Sequence, residues 1–554
     1  MNYSKITSIK IVITLALAML SITPGVAQED MPEVWSTKLD HKIDHSGCDN
    51  AGTVGYGYAA SDKEISVYEN ETGKVLWTKK FKDVGPRLRK VDDIVAIWDA
   101  KKIFLLDLKM GKEQIAVIDM LTGELLWDSD KYKLKQRDMV SYVAEEDGFL
   151  FSFKKMNVFV KAATGEELWS TSKFLGTVGK YYYENGLLTT INFVPSGLMA
   201  VFTGFKNQIA KLDMKTGEVI WENTYIGRAD RKIVTRDFMY GIDLIDGHVV
   251  LYLNGLQVYD YETGAQLWSA AFDYEVPVKA PGNATSFGVY GALSDPIITD
   301  DHVYVIDMSG KKDQYINKYD RKTGKLVWKS QEIQGGAKVV PAMYVVDDRV
   351  ILQIGGVVEI QGVFKEKDAE GNISYVRKVY DTNVKPYGVQ AFNNEDGRLV
   401  WDSERFKKGI TNMYVHEDNV VVCSGKALYS LKLENGDVNY EIDAKNGGVG
   451  NAVLILDNNE KVVVVGEKGV STFNVESGDF IAANKYKRAS VMAYRDNILV
   501  LETDKADVAA FDVNDKCKYW AYNAKKNSSS YLTTDGDHLY VFEKNTITRL
   551  KTRP

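Results

Sequence analysis

The chain has 554 residues, 45% hydrophobic, 26% charged and 11% aromatic, with 10 prolines and 3 cysteines, a composition that excludes disorder and collagen and leaves ample material for a core. The formal net charge is −7, from 69 Lys+Arg against 76 Asp+Glu. It lacks the basic footprint that drives phosphate binding, so no nucleic acid partner is expected.

The N-terminus reads as an export leader over residues 1–27. Lys5 and Lys10 form a positive region, Ile11 to Leu20 an apolar one, and Gly25-Val26-Ala27 a small-residue cleavage site. The apolar run is about ten residues, short of the roughly 20 a spanning helix needs, so no transmembrane segment is expected in the mature chain. The expected location is exported, either periplasmic or extracellular, and no cysteine follows the apolar run to take a lipid anchor. Export permits disulfides, yet Cys48, Cys423 and Cys517 are an odd set, and at most one pair can form within the chain. The simpler reading treats at least one of them as a small buried hydrophobe.

From residue 33 onward a short signature recurs: Asp, two variable residues, Thr-Gly, three variable residues, Trp. It is clearest at Asp119 to Trp127, Asp213 to Trp221, Asp260 to Trp268 and Asp320 to Trp328. Weaker copies lead from Thr72-Gly73 to Trp77, from Thr164-Gly165 to Trp169 and from Asp396-Gly397 to Trp401. Asn435-Gly436 and Ser477-Gly478 carry Tyr440 and Ala482 in the Trp position, and Asp512 to Trp520 loses the Thr-Gly. Only Trp98 falls outside this phase. Periods near 40 to 50 residues mark propellers or helical arrays. The runs before each signature, such as His248 to Leu253, His302 to Ile306, Arg349 to Ile354 and Asn419 to Cys423, are short, rich in Val, Ile, Leu and Tyr, and preceded by acidic turns, which predicts strands.

Each repeat therefore resolves into three strands, the third ending at the Asp, then a Thr-Gly turn and an outer strand carrying the Trp. Glycine supplies the positive φ of a tight hairpin, and the Asp accepts backbone N–H bonds that would otherwise be unpaired. The Trp is expected to fill the gap between one sheet and the next, contributing about 4–6 kcal/mol gross from its buried area, an upper bound. The last repeat stops before an outer strand, whereas Glu33 to Thr37 resembles an outer strand with no repeat in front of it. The expected fold is all-β: a propeller array of four-stranded antiparallel blades in which Glu33 to Thr37 pairs beside Thr546 to Lys551 and the chain ends close the structure. Residues 28–554 form this array. Eleven outer-strand positions exceed the usual four to eight blades, which leaves two rings with a break near 330–400, or one very large ring.

This pattern resembles the pyrroloquinoline quinone (PQQ) repeat family of β-propellers, whose blades carry a Thr-Gly turn and an outer-strand Trp docked on the neighbouring blade. The resemblance spans residues 33 to 554. It implies either an exported binding protein or a quinone-dependent dehydrogenase using PQQ and calcium. Dehydrogenases of the alcohol type carry adjacent cysteines, which this sequence lacks, as it lacks a Cys-x-x-Cys-His haem site. No acidic cluster suited to calcium stands out from the turn aspartates, and no cofactor is expected.

No catalytic, cofactor-binding or metal-binding residue is assigned from the sequence. The densest candidate is Asp40 to Asp49, where His41, His45, Cys48 and three Asp invite zinc, although the spacing matches no zinc motif and a solvated loop is simpler. His248, His302, His416 and His538 sit at turns just before strands, a place that turn structure explains. Tyr181-Tyr182-Tyr183 reads as strand. No nucleophile elbow, zinc-protease helix or phosphate loop is present. Two insertions swell the repeats: Tyr274 to Asp295, with Pro277, Pro281, Gly282, Phe287 and Tyr290, and Gly355 to Gln390, with Phe364, Tyr375, Tyr380 and Tyr387. Their aromatics suit recognition, and an extra hairpin packed on a blade edge is the plain alternative. The expected function is an exported, non-catalytic binding or scaffold protein that recognises a protein, peptide or glycan through blade loops; the alternative is a PQQ-dependent dehydrogenase.

Overall fold

A computed structural model of the chain describes residues 29–49, 51–132, 139–153, 156–172, 177–184, 187–193, 207–225, 241–253, 255–272, 283–308, 313–335, 339–367, 373–444 and 448–554. The expected leader lies outside them. The described residues form eleven β-sheets, nearly all of four consecutive antiparallel strands in chain order, as the propeller reading requires. Contacts divide the chain into two compact units, one of 39–425 with 431–439, the other of 1–38, 426–430 and 440–554.

The strands follow from the runs seen in the sequence. His248–Leu253 pairs with Gly241–Ile245 on one side and Gly255–Asp260 on the other, and Gln266–Ala270 forms the outer edge. The second and third strands are buried along most of their length because a neighbouring sheet lies against each face: Lys102–Asp107, Gln114–Asp119 and Lys461–Gly466 are mostly apolar, and Gly469–Asn474 buries Ser471 and Thr472 as well. The outer strands alternate, with Trp127 and Trp169 buried and their neighbours more exposed. Tyr181 to Tyr183 lies in the strand Thr177–Glu184, as expected.

In the first unit each indole joins its sheet to the next. Trp77 donates from Nε1 to the Met120 carbonyl (3.0 Å), Trp127 to Ala162 (3.0 Å), Trp169 to Met214 (2.7 Å), Trp221 to Tyr261 (3.0 Å), Trp268 to Arg321 (3.0 Å), Trp328 to Asn394 (3.0 Å) and Trp401 to Leu433 (2.9 Å). Every acceptor directly follows the last residue of a third strand, so the ring lies on the turn of the following repeat. The turn glycine touches it: a Cβ on Gly123 would lie 2.7 Å from the Trp77 ring, and one on Gly217 2.5 Å from Trp169. These glycines thus serve a positive φ (+67° and +70°) and a close approach together. The turn acids cap as expected. Asp119 Oδ1 accepts from the Leu121 and Thr122 amides at 2.9 and 3.0 Å, and the Thr263 hydroxyl and amide hold the Asp260 carboxyl below the usual carboxylate range.

The second unit contains the closure. Glu33–Lys38 pairs antiparallel with Thr546–Lys551 and completes the sheet of Ser529–Leu532 and His538–Glu543. Tyr440 takes the indole's place, donating its hydroxyl to the Val475 carbonyl at 2.9 Å and lying against Gly478. Where the Trp is replaced by Ala482, the facing turn has no glycine. Cys517 enters instead, with its Sγ 3.9 Å from Thr472 Oγ1, the residue paired with Ala482. Trp520 faces the joint between the chain ends, where no hairpin turn exists, and its Nε1 donates to the Glu29 carboxylate at 3.1 Å. Glu29–Asp30 adds as a fifth, parallel strand beside Lys518–Tyr522.

Candidate functional site

The two insertions are separated by about sixty residues in sequence and meet in one structure. Arg349–Lys367 and Ile373–Asn393 are the second and third strands of a blade that run on far past it. Twelve register pairs, from Gly356 with Val384 to Lys367 with Ile373, make an arm of about 40 Å at roughly 3.4 Å per residue. The first insertion supplies a third strand, Ala284–Tyr290, paired to Glu359 through Phe364. Tyr274, Pro277, Pro281 and Gly282 lie outside the described residues. The aromatics therefore belong to an extended hairpin, not to open loops.

The root of the arm is held firmly. The register shifts between Ile354 and Gly356, where Gly355 has φ +71° and lies so close to the Pro386 carbonyl that no Cβ fits. Buried Gln353 donates to the Gly355 and Thr411 carbonyls at 3.1 and 3.0 Å and accepts from the Met413 amide at 3.0 Å. Gln390 exchanges two 3.1 Å bonds with the Gln334 backbone, and Arg405 grips Asp402 through both guanidinium nitrogens at 2.6 and 3.0 Å. Sequence reading passed over Gln353 and Gln390 because a lone amide in an apolar run carries no motif.

Alternation along the arm separates two faces. Val358, Ile360 and Phe364 are buried, with Val289 and Val384 packed beside Val358, Ala292 and Val339. The opposite face presents Val357, Val379 and Tyr290, exposed by 43%, 54% and 54%, between Glu359, Asp381, Arg377 and Lys365. Phe364 and Tyr387 are thus core residues, whereas Phe287, Tyr290 and Tyr380 are exposed. From Ile373 to Val384 the far edge of the arm has no partner strand among the described residues. A strand edge with no partner strand can accept an added strand, the main-chain mode of peptide recognition.

The remaining candidates disperse. His41 is buried, its Nδ1 2.6 Å from the Lys42 carbonyl oxygen and its Nε2 2.7 Å from Ser66 Oγ. His45 packs against Tyr58, Cys48 donates to Asn70 at 3.7 Å, and Asp49 pairs with Lys101 at 2.9 Å. Among the described residues no three His, Cys, Asp or Glu come together as metal ligands. All three cysteines are buried and outside any disulfide, and burial pushes the Cys423 and Cys517 thiols up. Among the described residues no helix is long and apolar enough to cross a membrane.

A family profile described as outer membrane protein assembly factor BamB matches residues 25–253, 246–362 and 387–481. No curated protein matches the chain. Among solved structures, the computationally designed Ika8 protein is 13% identical, with a TM-score of 0.35, over 68% of this chain and 96% of its own. BamB from Moraxella catarrhalis is 14% identical, with a TM-score of 0.28, over 68% and 96%. The dihydro-heme d1 dehydrogenase NirN is 8% identical, with a TM-score of 0.32, over 73% and 76%. With its signature repeats in register and the profile matching well over half of its length, this chain belongs to the PQQ-repeat family described as outer membrane protein assembly factor BamB.

Proposed function

We propose that the protein is an exported, non-catalytic propeller that binds a protein or peptide through the arm of Gly356–Lys367 and Ile373–Val384. The observation that carries this reading is the rooted, twelve-pair ribbon whose far edge has no partner strand among the described residues, with exposed Tyr290, Val357 and Val379 beside it. An added strand there gains main-chain hydrogen bonds along the edge and apolar contact from the adjoining face, and the fixed root limits the ordering cost of binding.

A photo-crosslinking residue at Val379 tests this in the exporting cell. It should trap a discrete partner, which is lost when the arm is shortened to a hairpin joining Ile354 to Gly388. The same probe at Leu168, an exposed outer-strand residue, serves as control. Equal trapping at both positions refutes the assignment. An absorbance change with dye reduction on adding PQQ and calcium would favour the dehydrogenase, and capture on a glycan array would favour a lectin.

A further inference from the structure

The second unit carries its charge in opposite senses at its two ends. Consecutive strands of each sheet are antiparallel, so the turn between the second and third strands and the link to the next sheet emerge at one end. Hydrogen bonds tie these segments into one surface. The Tyr486 amide donates to the Lys468 carbonyl (2.8 Å), Lys487 pairs with Asp507 (2.6 Å), Asp507 accepts from the Ala524 amide (2.9 Å), and Glu543 from the Lys525 amide (2.7 Å). The carboxylates of Asp507 and Glu543 are buried and answered by Lys487 and Lys525. Lys468, Arg488, Lys505, Lys526 and Lys544 are exposed and none has a carboxylate partner among the described residues; the other acids at this end are exposed Asp504 and half-buried Glu467 and Glu502, so positive charge is in excess there. At the other end, where the remaining hairpin turns emerge, exposed Glu460, Glu476, Asp479, Asp496, Asp515 and Asp535 outnumber exposed Arg495, Lys516, Lys551 and Arg553. A net charge of −7 for the whole chain conceals this polarity.

We propose that the end bearing Lys468, Arg488, Lys505, Lys526 and Lys544 docks on an anionic lipid surface. Four of the five cations are lysines, which are depleted at protein–protein interfaces, where arginine and aromatic anchors dominate. They stand on separate loops, and each acts as a mobile point charge toward phosphate headgroups, needing no fixed partner geometry. The surface belongs to a different unit from the arm and stands independently of the binding proposed there.

The test is flotation of the purified protein with vesicles of phosphatidylglycerol in phosphatidylcholine and with phosphatidylcholine alone. Binding is expected only to the anionic vesicles, with loss at about 1 M salt, where the screening length falls to roughly 3 Å. Changing the five cations to Gln together should lower partitioning by about 100-fold or more. Changing Glu460, Asp479, Asp496 and Asp515 to their amides should not lower it. Unchanged thermal midpoints in both variants separate docking from folding. The proposal is overturned if the wild type ignores anionic vesicles, binds neutral ones equally, or is captured by polyglutamate and not by lipid. Undiminished flotation of the five-fold variant overturns it too.

Discussion

The dual demand on the turn glycines can be isolated within one sheet. Gly111 and Gly123 lie in two turns of the sheet built from Asp93–Ile97 to Leu125–Ser129, with φ of +77° and +67°. An added Cβ at Gly111 meets nothing within 4 Å, whereas at Gly123 it lies 2.7 to 3.0 Å from three ring atoms of Trp77. Gly111→Ala should therefore cost only the left-handed backbone term, about 1–2 kcal/mol. Gly123→Ala adds an overpacking cost of about 1–3 kcal/mol, because the Trp77 ring is buried and pinned by its bond to Met120. Trp77→Ala alone should cost about 3–5 kcal/mol. Adding Gly123→Ala to it should then cost no more than Gly111→Ala does, since the obstructing ring is gone. A chain of two compact units need not unfold in one step, so the readout is native-state hydrogen exchange in Val75–Lys80 and Gln114–Asp119. Equal costs for the two glycines in the wild-type background, or strict additivity with Trp77→Ala, refute the reasoning.

Three further outcomes follow from the same geometry. Ala482→Trp should destabilise the second unit by about 1–3 kcal/mol because Cys517 already fills that space, and adding Cys517→Gly should recover part of the loss in hydrogen exchange of Gly469–Asn474. The Asp107 carboxyl is buried, which by itself raises its pKa, but the Arg89 guanidinium (2.6 and 2.9 Å) and backbone amides hold it below the usual carboxylate range. Its contribution is complete above the unfolded value near 4 and is lost as pH falls through the lower folded value. Arg89→Gln should cost about 2–4 kcal/mol at neutral pH and less at pH 3, read by native-state hydrogen exchange in Lys102–Asp107. Burial, with Arg549 nearby, pushes the His538 imidazole below its ordinary value of 6.5. The folded state therefore loses stability as pH falls below 6.5, where the unfolded chain takes up the proton first, and His538→Gln should flatten the thermal midpoint between pH 7 and 5.

Much of the fold was legible because the repeat records two local requirements, a capped tight turn and a ring to cover it. Asp260, Thr263, Gly264 and Trp268 reveal the hairpin, and Glu33 to Thr37 betrays the closing strand because it has no repeat of its own. The exceptions at Ala482 and in the turn from Asp512 to Trp520 stood apart in the sequence, and only the structure brings them together at one joint. The arm was only half visible. Both insertions stood out by length, but nothing local states that Ala284–Tyr290 pairs with Glu359 to Phe364, because strand pairing across that distance is decided by which edges meet.

The sequence by itself determined the strand order, the turns and the residues that wedge one sheet against the next, since each is a contact between near neighbours or between successive repeats of constant spacing. Tertiary structure alone decided the rest: that His41 to Asp49 scatter into core and ion pairs, that two insertions make a single ribbon with an open edge, and that unremarkable loop lysines gather at one end of a unit. Those outcomes depend on distances between segments far apart in the chain, which no local periodicity encodes.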